Sequence, residues 1–315
     1  MKKQIPILIS SMKDSPRLPI LIKRFKKFNL KYKVFYGLEE NKKNKEIIYK
    51  FYNKKISVKR LSRNMGYNEI GSNYTQMRMF QYAVKKKFSN VILMADDVYP
   101  SRMFKEWVDK RIYFTGNKNI GFQCAPTGVL HNECIKVLNG KVKIHKAKTH
   151  LFNSNCNQHT IGYIKKFLKI TKGKSIGQGD YPFDLRKYNL ELFQTLPFLV
   201  YPDDRGFSYI RNDRNALEKT SFKNMRKFLY KIFSTKLLNL ISNFFRYFYY
   251  LTFTPFILRK YKNLDYYIEY FFEKFFYKLI SKFSKNYIDV ENIYCLKSSY
   301  PSDLKKYLKL KVYNN

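Results

Sequence analysis

Acidic side chains are scarce in this chain. Asp and Glu number 23 against 62 Lys and Arg, a formal net charge of +39. Such a surface attracts polyanions or an anionic membrane. It does not choose between them, because Lys, Asn, Ile, Tyr and Phe crowd the whole chain as a genome-wide bias would make them. Cysteine is sparse as well. Cys124, Cys134, Cys156 and Cys295 are widely spaced with no C-x-x-C, which excludes a disulfide framework and suits free thiols in a reducing compartment. Long apolar runs are missing. The opening "MKKQIPILISSMKDSPR" carries an apolar run of only five residues and then charge, so it reads neither as a secretory signal nor as a membrane span. Only four histidines occur. His145, His150 and His159 with Cys156 come nearest to a zinc set, but beyond the C-x2-H spacing they match no structural zinc pattern.

What is present suffices for a core. Apolar residues make up 45% of 315 residues, enough for one large domain or a medium domain with an appendage. "IPILIS" (5–10) predicts a first buried strand. Ile20, Leu21, Phe25 and Phe28 then share one face of a helix. "KYKVFYGL" (31–38) alternates and ends at a glycine, as a second strand would. Residues 41–55 read as a basic connector or short helix. A helix is expected over 73–90, capped by Thr75, with Met79, Tyr82 and Ala83 inward. "VILMA" follows as a continuous apolar strand, the kind found in sheets covered on both faces. This alternation predicts an α/β domain. Beyond it, a helix is expected from Ser101 to about Lys118, with Trp107, the sole tryptophan, in the core. Residues 120–140 suggest a strand, a glycine turn and a short helix. Residues 141–179 are polar and mixed.

The composition shifts after about Lys219. Residues 219–315 hold 19 Lys and Arg against 6 Asp and Glu, a net of +13. Apolar residues at 264, 267, 268, 271, 272, 275, 276, 279, 280 and 283 form a helical stripe with lysines on the remaining face. The expected organisation is a catalytic domain over 1–215 and a basic, aromatic helical extension over 216–315.

The chemistry-bearing feature is "VILMADD". Asp96 and Asp97 stand at the carboxyl end of a buried strand, where open α/β sheets bind ligands. If the chain turns there, two carboxylates make a hard oxygen site for Mg²⁺ or Mn²⁺, able to stabilise a departing diphosphate. The plainer alternative is that one Asp caps the helix near Ser101 and the other is solvated.

The context of that pair resembles a known family. "RLSRNMGYNEIGSNYTQMRMFQYAVKKKFSNVILMADDV" (60–98) is similar to the glycosyltransferase family 25 pattern "L-T-x-G-E-I-G-C-x-L-S-H", a helix, and an apolar strand ending "E-D-D". "ILISSMKDSPR" (7–17) resembles that family's first strand, charged loop and Arg, and "FNLKYKVFYGL" its second strand with Gly37. "YPFDL" (181–185) and "LPFLVYPDDRGFSYI" resemble its later segments. The resemblance covers roughly 5–212. Four positions depart from the pattern. Gln76 replaces the histidine, Ser72 the cysteine, Asn68 the first glycine and Ala95 the first acid.

The resemblance implies a GT-A-like mixed α/β sheet that binds a nucleotide sugar. It implies inverting transfer of a hexose, galactose by family preference, from a UDP-sugar. The acceptor would be a hydroxyl of a lipopolysaccharide, lipooligosaccharide or other glycan or glycolipid. Asp96 and Asp97 would hold Mn²⁺ or Mg²⁺. An inverting displacement needs a carboxylate base, and Asp184 in "P-F-D" is the first candidate, with Asp180, Asp203 and Asp204 behind it. Glu69 could bind an acceptor hydroxyl or orient the metal site, or could bond backbone amides in its own turn. Arg17 could face the nucleotide phosphates or be solvated, and Arg60 and Arg63 share that ambiguity. The extension fits an anionic membrane surface, placing the protein in the cytoplasm at the inner face of a bacterial inner membrane. Alternatives are a catalytically altered or inactive family member and a basic membrane- or nucleic-acid-binding protein. No RNA- or DNA-binding motif supports the last, so no nucleic-acid partner is expected. No P-loop or kinase set supports a phosphoryl-transfer enzyme.

Overall fold

A computed structural model describes residues 4–61, 64–123, 129–148, 155–175 and 188–202, with Tyr277, Ile280, Ser284 and 286–289. The first half alternates strand and helix: β1 (Ile7–Ser11), α1 (Leu18–Phe28), β2 (Tyr32–Tyr36), α2 (Lys42–Phe51), α3 (Lys54–Leu61), α4 (Tyr67–Lys85) and β3 (Asn90–Ala95). Then follow β4 (Val98–Pro100), α5 (Arg102–Asp109), β5 (Lys118–Gly121), β6 (Val129–Val137), β7 (Val142–Ala147), β8 (Cys156–Thr160), α6 (Ile161–Thr171), β9 (Glu191–Leu196), β10 (Val200–Pro202) and β11 (Tyr287–Asp289).

Among the described residues, nine strands form one mixed sheet in the order β11-β6-β7-β9-β5-β8-β3-β1-β2. β2, β1 and β3 run parallel, β8 runs against β3 and β5, and β9 is parallel to β5. β4 and β10 make a separate antiparallel pair. The expected α/β class is what the chain adopts.

The β3 run is buried on both faces because the pleat sends its residues alternately to two cores. Ile92 and Met94 pack with Leu21 and Phe25 of α1 and Phe104 and Trp107 of α5. Val91 and Leu93 pack with Met79, Phe80 and Ala83 of α4 and Tyr163 and Phe167 of α6. Trp107 is fully buried, and its Nε1 donates to Gln158 Oε1 at 2.8 Å. In α1 the buried face is Leu18, Leu21, Phe25 and Phe28, with Ile20 only half-buried. The basic connector is two helices, α2 and α3, and Ile48 of α2 is buried against Met65, Tyr67 and Ile70.

Three expectations need correction. The helix expected from residue 73 starts six residues earlier, at Tyr67. Glu69 Oε2 accepts from Gly66 N at 3.2 Å, and Tyr67 and Ile70 dock on α2, so capping and packing extend it. Thr75 is therefore mid-helix, and its Oγ1 donates to Gly71 O at 3.0 Å. The helix after Ser101 ends at Asp109 instead of near Lys118. The short helix expected before Gly140 is strand β6, paired with β7 through a turn with positive φ at Leu138, Asn139 and Gly140. Asn139-Gly140 is a hairpin dipeptide, and cross-strand bonding outweighs the local pattern.

β11 pairs antiparallel with β6, so a strand from the C-terminal region joins the large sheet. Of the stripe positions in that region, Ile280 is described, and the others lie outside the described residues. No helix among the described residues is long and apolar enough to cross a membrane.

Candidate active site

The site grows from strand register. Ser10 lies opposite Ala95, and Ser11 opposite Tyr36, so β1, β2 and β3 end together. One residue past Ala95 the chain bends at Asp96 and Asp97 before β4. Asp96 keeps the phase of Ile92 and Met94 and falls on the α1 side. It is 8% exposed, and Ser11 Oγ donates to its Oδ2 at 2.6 Å. Arg17, the N-cap residue of α1, brings Nη2 to 3.6 Å from Asp96 Oδ1. Gly37 N donates to Ser11 O at 2.8 Å, and a Cβ at Gly37 would meet Met12 Sδ at 2.6 Å, so a larger residue there would make the Met12 side chain move.

Asp97 is held from the other side. Asn155 Nδ2 donates to Asp97 Oδ2 at 3.3 Å, and Asn155 O accepts from Ala95 N at 2.7 Å. Gln123 Oε1 in turn accepts from Asn155 N at 3.1 Å, and Gln194 Nε2 donates to Gln123 O at 3.0 Å. Neither aspartate caps α5; Ser101 does, accepting from Phe104 N at 3.3 Å.

Of the residues singled out in the sequence, Arg17 and Asp96 meet here, and Asp97 follows Asp96 in the same bend. Glu69 is 3% exposed in the first turn of α4, with a carboxylate oxygen accepting from Gly66 N, the N-cap residue, which lies before the NEIG segment. Asp180, Asp184, Asp203, Asp204, Arg63 and His150, and the side chain of Arg60, lie outside the described residues. Of the departing positions, Ser72 is exposed and Gln76 and Asn68 are half-buried, all on α4. Ser11, Gln123 and Asn155 escaped the sequence reading. Ser11 was within reach, since it ends the first apolar strand, a parallel neighbour of the strand that carries the acids. Asn155 carried no local signal.

The described histidines do not gather around Cys156. Cys156 packs on the α1 side and His159, three residues on, between Phe80 and Tyr163 on the other. His145 Nδ1 lies 2.9 Å from His131 O. Among the described residues no group of three His, Cys, Asp or Glu could hold a metal ion.

Two carboxylates nevertheless fit Mg²⁺ or Mn²⁺ in one specific way. Mg²⁺ is commonly held by one or two carboxylates plus substrate phosphates, without an all-protein cage. The bend at 96–97 supplies two such carboxylates, with Ser11 Oγ donating to Asp96 and Asn155 Nδ2 to Asp97.

The fold and site together define a mixed α/β protein with an acid pair at the ends of its parallel strands. A family model described as glycosyltransferase family 25 (LPS biosynthesis protein) matches residues 4–184, and the chain belongs to that family. No curated protein matches it. Among solved structures it is similar to a glycosyltransferase involved in the glycosylation of the major capsid of PBCV-1, at 12% identity over 54% of this chain and 64% of that one, with a TM-score of 0.26. It is also similar to mannose-1-phosphate geranyltransferase from Thermus thermophilus, at 6% identity over 61% and 73%, with a TM-score of 0.32. The chain thus spans less than two thirds of the first of these, and the membership stands on the family match alone.

Proposed function

We propose that this protein is an inverting glycosyltransferase with a GT-A-like catalytic domain over 1–215. It moves a hexose, galactose favoured, from a UDP-sugar to a hydroxyl of a lipopolysaccharide, lipooligosaccharide or related glycan acceptor. The observation that supports this most is the bend carrying Asp96 and Asp97 at the joint end of β1, β2 and β3, inside the segment matched to the family.

Asp96 and Asp97 would hold Mn²⁺ or Mg²⁺, which supplies charge to stabilise a departing diphosphate. Ser11 and Asn155 fix the two carboxylates from opposite sides. Arg17 stands beside Asp96, close enough to contribute positive charge to bound phosphates. Asp184 would take the proton of the attacking acceptor hydroxyl. Glu69 orders the start of α4 through Gly66. The basic extension would rest on an anionic membrane surface at the cytoplasmic face, bringing the domain to a lipid-linked acceptor.

Incubating the full chain with a panel of nucleotide sugars, with Mn²⁺, Mg²⁺ or chelator, tests the reading. Turnover of a UDP-sugar should depend on the divalent ion, and Asp96→Asn or Asp97→Asn should remove most of it. Full activity of both variants in chelator would refute the metal site, and absence of turnover with every donor would refute the transferase reading.

A further inference from the structure

The two oxygens of Asp96 are treated differently. Oδ2 takes a short hydrogen bond from Ser11, so β1 fixes that edge of the carboxylate. Oδ1 faces Arg17 Nη2 at 3.6 Å, an ion pair longer than a good N–H···O bond. Arg17 Nε is buried without a hydrogen-bond partner among the described residues. The Arg17 side chain makes no capping bond to α1 either. A guanidinium carries five N–H donors in a fixed fork. One that is largely desolvated yet loosely bonded is costly to keep unless another state of the protein uses it better.

We propose that Arg17 is a place-holding cation for Asp96, and that Ser11 is the positioning residue that makes the exchange one-sided. This rests on the transferase reading given above. With no donor bound, Arg17 neutralises the Oδ1 edge of a nearly buried carboxylate. When nucleotide and divalent ion arrive, Arg17 yields Oδ1 and turns its donors to the diphosphate, which matches the guanidinium fork far better than a single oxygen at 3.6 Å. Ser11 retains Oδ2 throughout, so the carboxylate does not rotate as its partner changes. No bond is made or broken in this step. In the free protein Arg17 would have to leave Oδ1 before Asp96 could hold a divalent ion, whereas in the nucleotide complex that edge would already be vacated. Ion and nucleotide therefore bind with positive coupling, and the coupling is reciprocal.

Mn²⁺ binding to the full chain, followed by the electron paramagnetic resonance signal of free Mn²⁺ with and without UDP, tests this. Wild type should bind Mn²⁺ weakly alone and about tenfold or more tightly with UDP, a usual size for such coupling. Arg17→Gln should tighten Mn²⁺ binding in the absence of UDP and erase most of the UDP effect. Arg17→Lys, which keeps a cation, should retain weak binding without UDP. Ser11→Ala should weaken Mn²⁺ binding in the UDP complex, and Ser11→Thr should restore it. Unaltered or weaker Mn²⁺ binding by folded Arg17→Gln without UDP would overturn the proposal. Asp96→Asn separates the two levels. If it loses the binding that wild type shows with UDP, the metal site stands and Arg17→Gln decides the exchange. If wild type and Asp96→Asn bind Mn²⁺ alike, the metal site itself falls, and the exchange with it.

Discussion

Asn155 holds Asp97 and the strand before it at once: its Nδ2 donates to Asp97 Oδ2 at 3.3 Å while its main-chain oxygen accepts from Ala95 N at 2.7 Å. The bend that carries both carboxylates is thereby tied to the lead-in of β8 by one residue. Only the side-chain bond can be removed without touching the backbone one. Asn155→Leu keeps the volume, keeps the Ala95 bond and removes the Asn155 bond to Asp97 Oδ2. Partners of this kind around metal ligands are worth about 10–100-fold in affinity or activity. Turnover and Mn²⁺ affinity of Asn155→Leu should fall by about that factor, with only a small loss of thermal stability. Unchanged turnover would mean that Asp97 needs no such support.

The base should separate from the metal site in kinetics. A proton acceptor for the acceptor hydroxyl acts only in the transition state, so its loss lowers turnover and spares donor binding. Asp184→Asn should cut kcat by about 100-fold or more and leave UDP affinity near wild type. Near-normal kcat in Asp184→Asn, with loss in Asp180→Asn or Asp204→Asn, would move the role to another carboxylate.

Sequence reached the parallel half of this fold because each of its elements announces itself locally. β3 is an uninterrupted apolar run, α1 repeats its apolar positions at helical spacing, and the acids follow β3 directly. The antiparallel half was opaque because its strands are polar and stabilised across the sheet. β6 reads "VLHNECIKV" and β8 "CNQHT", and β8 is wholly buried between β3 and β5. A buried strand with Asn, Gln, His and Thr contradicts composition rules and is understandable only from its partners. The same holds for the site. Asp96 and Asp97 are adjacent in sequence, whereas Ser11 and Asn155 reach them from 85 and 58 residues away.

Gln158 shows what those partners are worth. It accepts from Trp107 Nε1 and donates through Nε2 to Asn90 Oδ1 and Ile112 O, each at 2.8 Å. Asn90 closes the network by bonding Phe114 N and O. Gln158→Leu fits the space but strands a buried indole N–H and an amide acceptor. Each unsatisfied group costs about 1–3 kcal/mol, so denaturant unfolding should show a loss of about 2–5 kcal/mol. Activity measured well below the new melting temperature should change little, because none of these atoms is at the strand-end site. A loss under about 1 kcal/mol would mean that water or rearrangement satisfies the network.

His159, one residue on, makes stability depend on pH. It is 1% exposed, edge-on to Phe80 and stacked on Tyr163, with neither ring nitrogen hydrogen-bonded among the described residues. Burial holds its pKa down, from 6.5 to about 3. In the pH window between those values the unfolded chain takes up a proton that the folded chain refuses. The contribution is therefore complete above pH 6.5 and falls as pH drops toward 3. The slope is about 1.4 kcal/mol per pH unit, so lowering the pH from 7 to 5 should remove about 2 kcal/mol through this residue. His159→Phe, which keeps both ring contacts, should unfold in denaturant with a shallower acid dependence by that amount. Equal slopes in wild type and variant would show that water reaches the imidazole.

The extension should bind anionic membrane through lysines that interrupt its aromatic stripe. Lys274, Lys278 and Lys282 recur through "LDYYIEYFFEKFFYKLISKF", so the run lacks the ~20 apolar residues of a span and suits a headgroup layer. The opposing account is that the stripe is core, packed against the sheet. Two described contacts speak for some packing: Lys148 Nζ sits 4.7 Å from the Tyr277 ring, and Tyr277 lies 5.4 Å from Tyr287 of β11. Deleting the extension would also strip β11 from β6, so truncation would mix unfolding with membrane loss. Substitution in the full chain avoids this. Each lysine near an anionic surface contributes about 1 kcal/mol, so Lys274→Gln, Lys278→Gln and Lys282→Gln together should weaken sedimentation with phosphatidylglycerol vesicles by on the order of 100-fold. Wild-type binding should also fall with added salt and be weak on neutral vesicles. Equal sedimentation of wild type and variant, or none by either, would leave the stripe as core and remove the membrane from the mechanism.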